Sequence, residues 1–401
     1  MSRETTNSGR VLRPAGPMNA TDSIIASSRD RNPDILALKW ARMRESAFAF
    51  FRGTAPLFYR AWSRLSPGGS PLAWICGDAH LENLGSYRGS NHVPYFDLND
   101  FDECCLAPAD WETGRALAAL HILGEPGLAC LFLSTYVQAL QGGKPGHIEP
   151  EVAVGPIALL LARVQMRNRK GLLAKLVARG KLRIRPGHSF ALDRVAKARA
   201  RRKFEAWSRR QPDPGFYRVM DLCGRIAGNG SLGLERYVIL VKGKKLPFIL
   251  DMKAAAPAAP LAFLRVRQPP WPSEAERVAT VQHFMQYVPI ARLSWIGTAP
   301  VSYIVHALQP AEDRIVVEDL SREDREEFVR QWARLVASAH LRTGGWRGSA
   351  DLDALIGYGR SLGQRGQRRL LAAARGAASE QRRAWEEFKG SNLGTAPAGR
   401  P

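Results

Sequence analysis

Two short polar runs in the chain have the residue types and the spacing of a phosphoryl-transfer site. Residues 76–83 read CGDAHLEN and contain Asp78 and Asn83, and residues 95–100 read YFDLND and contain Asp97. In kinase-type sites one aspartate orients the acceptor hydroxyl, an asparagine farther along the loop binds a metal, and a second aspartate at a strand end binds Mg²⁺ as well. The spacing therefore predicts Asp78 as the catalytic carboxylate and Asn83 and Asp97 as metal ligands.

These residue types suit a complex of Mg²⁺ with a triphosphate. Mg²⁺ takes oxygen ligands, uses one or two protein carboxylates, and obtains its other ligands from phosphate and water. The catalytic carboxylate has to stay off the metal so that it can still accept a proton. Aspartate also caps turns at strand ends, so the two runs at this separation favour the site more than either run does alone.

A glycine-rich segment, GNGSLG at residues 228–233, supplies a second constellation. In a dinucleotide-binding fold such glycines open a helix. Here they lead into the apolar run 237–241, which predicts a strand, as in the glycine-rich loop that covers ATP phosphates in kinases. We therefore expect Gly228, Gly230, Ser231 and Gly233 to contact a nucleotide.

A lysine follows at the end of the next apolar run, in the segment ILDMKA at residues 249–254. This position is typical of the strand lysine that contacts the α- and β-phosphates of ATP, so Lys253 is the predicted phosphate ligand. That lysine usually pairs with a carboxylate of the following helix. Glu276 is preferred for this role, and Glu274 is the alternative.

Length and composition set the broad class of the protein. A chain of 401 residues can form two lobes, and its five cysteines have neither disulfide-framework nor zinc spacing, which suits the cytoplasm. The most apolar stretch, residues 116–140, is interrupted by the sequence GEPG at 124–127, so no membrane span is expected. The first residues lack the apolar run of a secretory signal and predict a flexible tail.

The formal charge of +21 is concentrated in one segment. Residues 163–210 contain 17 Lys or Arg against two acidic residues, which gives +15 for this basic block. Such a block attracts polyanions, including nucleic acid, an acidic membrane or a phosphorylated substrate. A pair of solvated helices explains the same composition, because aromatic residues are sparse in the block.

The order of the motifs is the reverse of that in ordinary kinases, because Asp78 precedes Lys253. We therefore predict an α+β, protein-kinase-like two-lobed fold that is circularly permuted, which is possible when the termini lie close together at the surface. The predicted organisation has five parts. Residues 1–29 form a disordered tail, residues 30–215 the catalytic-loop part of a larger helical lobe, and residues 216–310 a small antiparallel β-rich nucleotide-binding lobe. Residues 311–389 form helices that return to the larger lobe, and residues 390–401 form a second disordered tail.

The chain resembles the bacterial domain of unknown function family 2252 over roughly its full length. The resemblance lies in five runs, MRESAFAFFRG, GDAHLEN, FDLNDFDE, GNGSLG and AHLRTG, which begin at residues 43, 77, 96, 228 and 339. The family is in turn similar to protein-kinase-like and aminoglycoside-phosphotransferase-like proteins, but it implies no substrate. Where the family tends to read Trp-Asp this chain has Trp111-Glu112, and Glu112 is expected to keep the role of a structural carboxylate.

Two functions remain open from the sequence. The first is a phosphotransferase that uses ATP and Mg²⁺ and acts on the hydroxyl of an unknown small molecule or protein; the same residues would also permit nucleotidyl transfer. The second is a non-catalytic nucleotide-sensing or polyanion-binding protein that acts through the basic block.

Overall fold

A computed structural model describes residues 19–26, 28, 31–228, 230–297 and 299–395. Its helices contain more residues than its strands. They are α1 Ala20–Ala26, α2 Pro33–Glu45, α3 Ala47–Gly53, α4 Ala55–Leu65, α5 Asp110–Ile122, α6 Pro126–Gly142, α7 Gly155–Gln165, α8 Arg169–Leu176, α9 Arg194–Ser208, α10 Glu274–Met285, α11 Arg322–Arg342, α12 Leu352–Ser361 and α13 Gln364–Gly390.

The strands form one larger sheet and three strand pairs. They are β1 Leu72–Ile75, β2 Leu84–Arg88, β3 Pro94–Leu98, β4 Cys105–Pro108, β5 Val177–Ala178, β6 Lys181–Leu182, β7 Ser189–Phe190, β8 Val219–Arg225, β9 Arg236–Val241, β10 Phe248–Ala254, β11 Ser294–Ile296 and β12 Tyr303–Ala307. The larger sheet is antiparallel and has six strands in the order β11-β12-β10-β9-β8-β7, while β1 pairs with β4, β2 with β3 and β5 with β6.

Alternation of side chains divides the six-stranded sheet into two apolar faces. Ile239 and Met252 lie in a cluster with Phe204 of α9 on one face. On the other face Leu240 and Ile249 pack against leucines of α8. Helices α8 and α9 thus cover opposite faces of the sheet.

A separate and larger core lies among the helices. Trp62 of α4, Phe132 of α6 and Trp332 of α11 are fully buried there, and Trp74 of β1 joins them. Helix α5 crosses the middle of this core, and a Cβ on its Gly114 would lie 2.2 Å from the Trp62 ring. Residues of the short pairs β1-β4 and β2-β3, among them Trp74 and Phe96, also lie in this core.

The expected mixture of helices with antiparallel strands is confirmed, but the boundaries differ from those predicted. Helix α1 lies inside the predicted N-terminal tail, where Ile24 packs beside Phe388 because both are apolar. Residues 169–208, assigned from the sequence to the helical lobe, pack on the six-stranded sheet instead. The outer parts of the two predicted tails, 1–18 and 396–401, lie outside the described residues. Within the described ranges, no helix has the length and apolar character needed to span a membrane.

Candidate functional site

The loop that carries Asp78 leaves the end of β1 in a tightly fixed conformation. Gly77 has a φ of 78°, and a Cβ there would lie 2.0 Å from the Glu103 carbonyl oxygen, so only glycine fits. The fully buried Glu112 carboxylate accepts from the Cys76 backbone N–H at 2.5 Å and from Cys76 Sγ at 3.2 Å. Burial raises the pKa of Glu112 to about 7. These contacts support the structural role expected for Glu112.

Asp78 is held by a buried arginine. Its Oδ1 accepts from Arg115 Nε at 2.8 Å and from Arg115 Nη2 at 2.6 Å, while Oδ2 lies 3.3 Å from His80 Nε2. Burial alone would raise the pKa of Asp78, but Arg115 and His80 together hold it well below its usual range. The carboxylate therefore stays ionised at neutral pH and is suited to orient a hydroxyl group.

Asn83 connects the Asp78 loop to the segment that follows β3. Its Nδ2 donates to the carbonyl oxygens of Asp78 at 2.9 Å and Asp100 at 3.1 Å. Because both partners are acceptors, the amide nitrogen is fixed on that side and Oδ1 faces the other way. Asn83 thus retains one oxygen that can bind a ligand.

Lys253 lies against two carboxylates of the segment after β3. Its Nζ is 2.5 Å from Asp102 Oδ2 and 3.2 Å from Asp100 Oδ1. Burial alone would lower the pKa of Lys253, but the two carboxylates raise it above its usual value. The sheet and the helical part therefore meet here through a protonated amine and a pair of aspartates.

Asp97, the second predicted metal ligand, does not lie with Lys253. It is buried inside the helical part and accepts from Leu98 N–H at 2.8 Å, Tyr287 N–H at 3.3 Å and Arg342 Nη2 at 3.3 Å. Strand β3 ends one residue later, and the chain has to turn before its side chains can reach the sheet. Asp100, three residues beyond Asp97, occupies the position beside Asn83 and Lys253.

The predicted carboxylate partner of Lys253 on α10 also lies elsewhere. Ser273 caps that helix through its hydroxyl, which accepts from the Glu276 backbone N–H. Glu274 Oε2 accepts from Arg277 Nε at 2.7 Å. Among the described residues, neither glutamate contacts Lys253.

A buried acid anchors two arginines beside Lys253. Asp251 is fully buried; its Oδ2 is 2.5 Å from Arg236 Nη2 and 2.9 Å from Arg225 Nη1, and His306 Nε2 is 3.4 Å away. Burial alone would raise the pKa of Asp251, but the two arginines hold it well below its usual value. Three cationic side chains of the sheet therefore face Asp100 and Asp102.

The glycine-rich segment connects β8 to β9 and is held by the N-terminal helices. Arg31 Nη1 donates to the carbonyl oxygens of Gly230 and Leu232, both at 2.6 Å, and Lys39 Nζ donates to Gly230 at 2.9 Å. Each carbonyl thereby gains a charged donor. No sequence pattern predicted that Lys39 of α2 and Arg31, the residue before its N-cap, bind this segment.

The other predicted glycine-loop residues share this environment. The Gly233 carbonyl accepts from the Asn32 backbone N–H at 3.0 Å, and Arg42 Nη1 lies 3.3 Å from the Gly228 carbonyl oxygen. Gly228 and Gly233 have φ values of 81° and 92°, which explains glycine at both positions. Ser231 borders the cavity that contains Asp78.

Three adjoining cavities surround these groups. We call them the central cavity, the Asp78 cavity and the sheet cavity. Their volumes are about 360, 350 and 240 Å³, respectively. The central cavity is lined by Asn83, Asp100, Asp102, Arg225, Arg236 and Lys253, the Asp78 cavity by Lys39, Arg52, Asp78, Asp100, Asp102 and Glu103, and the sheet cavity by Leu176, Leu182, Cys223, Arg225, Ala227 and Val238.

Shared walls place the three cavities in a row. Asp100 and Asp102 separate the central cavity from the Asp78 cavity, while Arg225 and Ala227 border both the central cavity and the sheet cavity. Charged side chains line all three cavities, since the sheet cavity also includes Lys175, Arg183 and Arg185. The row therefore offers a space beside apolar and basic side chains of the sheet, a cation- and carboxylate-lined space, and a space beside Asp78.

Glu103 adds a further carboxyl group to the Asp78 cavity. It is partly exposed there, and its Oε2 accepts from the Ala259 backbone N–H. Burial, with a further contribution from the negative charge of Asp78, raises the pKa of Glu103 to about 7. Sequence reasoning missed this group, although Glu103 closes the acidic run that begins at Asp100.

The donor atoms of the central cavity fit a nucleotide-bound Mg²⁺ better than a metal held by protein alone. No cluster of three or more His, Cys, Asp or Glu suited to a metal occurs in the described part of the chain. Asn83 Oδ1 and the carboxylates of Asp100 and Asp102 line the cavity, which matches the few protein oxygens that Mg²⁺ takes when phosphate supplies others.

A family model described as an uncharacterized protein conserved in bacteria, DUF2252, matches residues 31–127 and 137–391. The chain belongs to this family. The match includes the Asp78 loop, the segment after β3, the glycine-rich segment and Lys253. No curated protein and no solved structure matches the chain.

The basic block of this DUF2252 protein does not form one uniform surface. Some of its cations pair inside the molecule: Arg167 Nη2 lies 2.6 Å from Asp313 Oδ2, and Lys197 Nζ lies 2.7 Å from Asp221 Oδ1. Others, including Arg169 and Arg194, are exposed. The block therefore combines structural ion pairs with solvent-facing charge.

Proposed function

We propose that this protein is a kinase-like phosphotransferase that uses ATP and Mg²⁺ and acts on a hydroxyl group of a small molecule or protein. The observation that carries the proposal is the convergence of Lys253 with Asp100, Asp102 and Asn83 in one cavity, reached from two distant parts of the chain. Opposite charges in a cleft of this kind are what a metal–triphosphate complex requires.

The order of elements in the sheet supports a kinase-like arrangement. A glycine-rich segment joins its long strands β8 and β9, Lys253 lies on the following strand β10, and helix α10 comes next. Protein kinases use a glycine-rich loop, a strand lysine and a helix in that order. Because the Asp78 loop comes earlier in this chain, the proposed fold is a circularly permuted form of that arrangement.

Each cavity of the row then has a role. The sheet cavity takes the nucleotide base against the apolar side chains of Leu176, Cys223 and Val238, and the basic side chains of Lys175, Arg183 and Arg185 also line it. In the central cavity Arg225 and Lys253 bind the phosphates, because charge-assisted hydrogen bonds to phosphate oxygens are strong. The Asp78 cavity receives the acceptor.

Asn83, Asp100 and Asp102 would hold the Mg²⁺ ion, which when bound neutralises charge on the phosphate oxygens. Asp78 accepts a hydrogen bond from the acceptor hydroxyl and orients it toward the phosphates. Arg115 keeps Asp78 ionised and fixes its direction. Lys253 exchanges its contacts with Asp100 and Asp102 for phosphate oxygens when the nucleotide binds.

Thermal unfolding of the full chain with ATP and Mg²⁺ tests the proposal. Ligand that binds the folded state raises the melting temperature. Lys253→Met removes a charge-assisted contact worth roughly 1.5–3 kcal/mol, so the dissociation constant for ATP should rise on the order of ten- to a hundredfold. Lys245→Met, which removes an exposed lysine from the connection between β9 and β10, is the matched control.

The chemical outcome is read from labelled ATP. With purified acceptor candidates, transfer of label from the γ-phosphate supports the proposal. Transfer of label from the α-phosphate indicates nucleotidyl transfer, and the absence of any thermal shift with ATP and Mg²⁺ in the wild-type protein would contradict both reactions.

A further inference from the structure

A further cavity, of about 530 Å³, lies at the opposite end of β10 from Lys253. We call it the β10 cavity. Its floor is apolar and consists of Leu172, Phe216, Phe248, Ile249 and Leu308. Its size and apolar lining fall in the range of small-molecule sites. The cavity shares Leu172, Leu308 and Gln309 with the sheet cavity, but none of the three cavities of the proposed active site includes Phe216 or Phe248.

The rim of the β10 cavity is cationic. Five of its lining residues are Arg88, Arg167, Arg169, Lys244 and Arg292. Within the described chain, its lining includes no Asp or Glu. A ligand in this cavity therefore meets positive charge at the rim and carbon atoms at the floor.

The three exposed cations of the rim lack an acidic partner. Arg169, Lys244 and Arg292 are exposed and form no ion pair with any described residue. In contrast, Arg167 pairs with Asp313. The three cations therefore hold charge that a bound anion can neutralise.

Two of these cations already lie over aromatic rings of the cavity. The Arg169 guanidinium carbon is 5.4 Å from the centroid of the Phe248 ring, and that of Arg292 is 4.4 Å from the centroid of Phe216. Arg292 Nη1 also donates to the Tyr217 hydroxyl at 3.1 Å. Ring contacts position these guanidinium groups at the boundary between the rim and the floor.

We propose that the β10 cavity binds a small organic anion with a flat apolar body, such as an aromatic carboxylate or sulfonate. The apolar body covers the floor, while the acidic group lies between Arg169, Lys244 and Arg292. Attraction between opposite charges is stronger beside an apolar wall than in bulk water. A concave site with an apolar floor favours such a ligand over nucleic acid, which the solvated cations of the basic block would bind at an open surface.

Fluorescence titration of the full chain with 8-anilinonaphthalene-1-sulfonate tests this site. N-phenyl-1-naphthylamine, which has the same rings without the sulfonate, is the neutral comparison. The double variant Arg169→Gln/Lys244→Gln should weaken binding of the sulfonate roughly tenfold or more, which corresponds to about 1.4 kcal/mol. It should leave binding of the neutral dye unchanged.

Two further variants sharpen the test. Lys170→Gln/Lys245→Gln removes the same charge from neighbouring positions that do not line the cavity, and it should retain wild-type affinity. Asn168→Asp adds a negative charge to the lining while keeping an oxygen that can accept from the Gly171 N–H, so α8 keeps its cap. This variant should weaken binding of the sulfonate alone.

Three results would overturn the proposal. They are equal binding of the two dyes by the wild-type protein, equal loss of sulfonate binding in the two double variants, and displacement of the sulfonate only by a single-stranded oligonucleotide and by no aromatic carboxylate. Circular dichroism of each variant confirms that the fold is retained, so a change in dye binding reports on the cavity.

Discussion

The ion pair between Arg115 and Asp78 provides a quantitative test of how the Asp78 loop is held. Arg115 is completely buried and Asp78 is 16% exposed at its side chain, and two hydrogen bonds of 2.6 and 2.8 Å join them. Removing one partner of a buried pair costs roughly 3–5 kcal/mol, because the remaining charge is left without compensation. Arg115→Met and Asp78→Asn should each lower the free energy of unfolding by about that amount.

The double variant should be much less destabilised than the sum of the two single variants. We expect a coupling of at least about 2 kcal/mol, since the second substitution removes the charge that the first one stranded. Urea unfolding followed by tryptophan fluorescence measures these changes, because Trp62, Trp74 and Trp332 lie in the core around the loop. Additive effects within roughly 0.5 kcal/mol would refute the ion pair.

The same pair predicts a pH dependence with a definite sign. In the wild-type protein the pKa of Asp78 is held well below its usual value, so its stabilising contribution is present above about pH 4 and is lost as the pH falls further. In Arg115→Met, the guanidinium no longer offsets burial, so the pKa of Asp78 rises although His80 remains beside it. The destabilisation caused by Arg115→Met should therefore be largest at pH 7 and should shrink toward pH 4; a constant difference would contradict this account.

Three other substitutions have predicted outcomes. Gly77→Ala should lower the melting temperature far more than Gly68→Ala, because both positions have positive φ but only Gly77 faces a backbone oxygen at 2.0 Å; equal effects would contradict the fixed loop. Burial raises the pKa of Glu103 from 4.5 to about 7, so the wild-type protein loses stability as the pH rises through that interval. Glu103→Gln should remove roughly 2–3 kcal/mol of this loss, as measured by urea unfolding at pH 5 and pH 8. If the free energy of unfolding changes as much between these pH values in the variant as in the wild-type protein, Glu103 is not the source of the loss. Asp251→Asn removes the buried carboxylate that pairs with the partly exposed Arg225 and Arg236, so it should cost roughly 3–5 kcal/mol of stability and also weaken ATP binding; unchanged melting would contradict the anchor role.

Local patterns predicted the parts of the candidate site that depend on neighbouring residues in the chain. Alternation of apolar residues placed Lys253 near the end of a strand, and the glycine spacing marked a loop between two strands. Asp78 and Asn83 lie five residues apart on one loop, and a hydrogen bond from the Asn83 side chain to the Asp78 carbonyl joins them. Each of these features depends on residues that are close together in the chain, so a short stretch of sequence is enough to predict it.

Whether Asp97 or Asp100 lies beside Lys253 depends on information that the local pattern lacks. Asp97 follows aromatic residues on a strand, a position that is typical of a metal ligand at a strand end. That strand is buried against α11, however, and Asp97 accepts a hydrogen bond from Arg342 of this helix. Whether a strand-end side chain faces the core or the cleft depends on what packs against it. The acidic run from Asp100 to Glu103 was the available signal, because burying several carboxylates in an apolar core costs more free energy than placing them in a polar cleft.

Contacts between distant segments were beyond the reach of sequence patterns. Arg31 and Lys39 reach the Gly230 carbonyl across nearly 200 positions of the chain. Their own surroundings read only as the beginning of an amphipathic helix. The pairing of Lys253 with Asp102 instead of with a glutamate of α10 is likewise set by how the sheet meets the helical part.

Isothermal titration calorimetry of ATP with and without Mg²⁺ tests the central claim most directly. The wild-type protein should bind ATP more tightly with Mg²⁺, and Asp100→Asn should abolish most of that gain, on the order of tenfold. Asp353→Asn, an exposed substitution on α12, should retain it. Absence of Mg²⁺-dependent binding by the wild-type protein, or a full Mg²⁺ effect in Asp100→Asn, would contradict the proposed metal–nucleotide site.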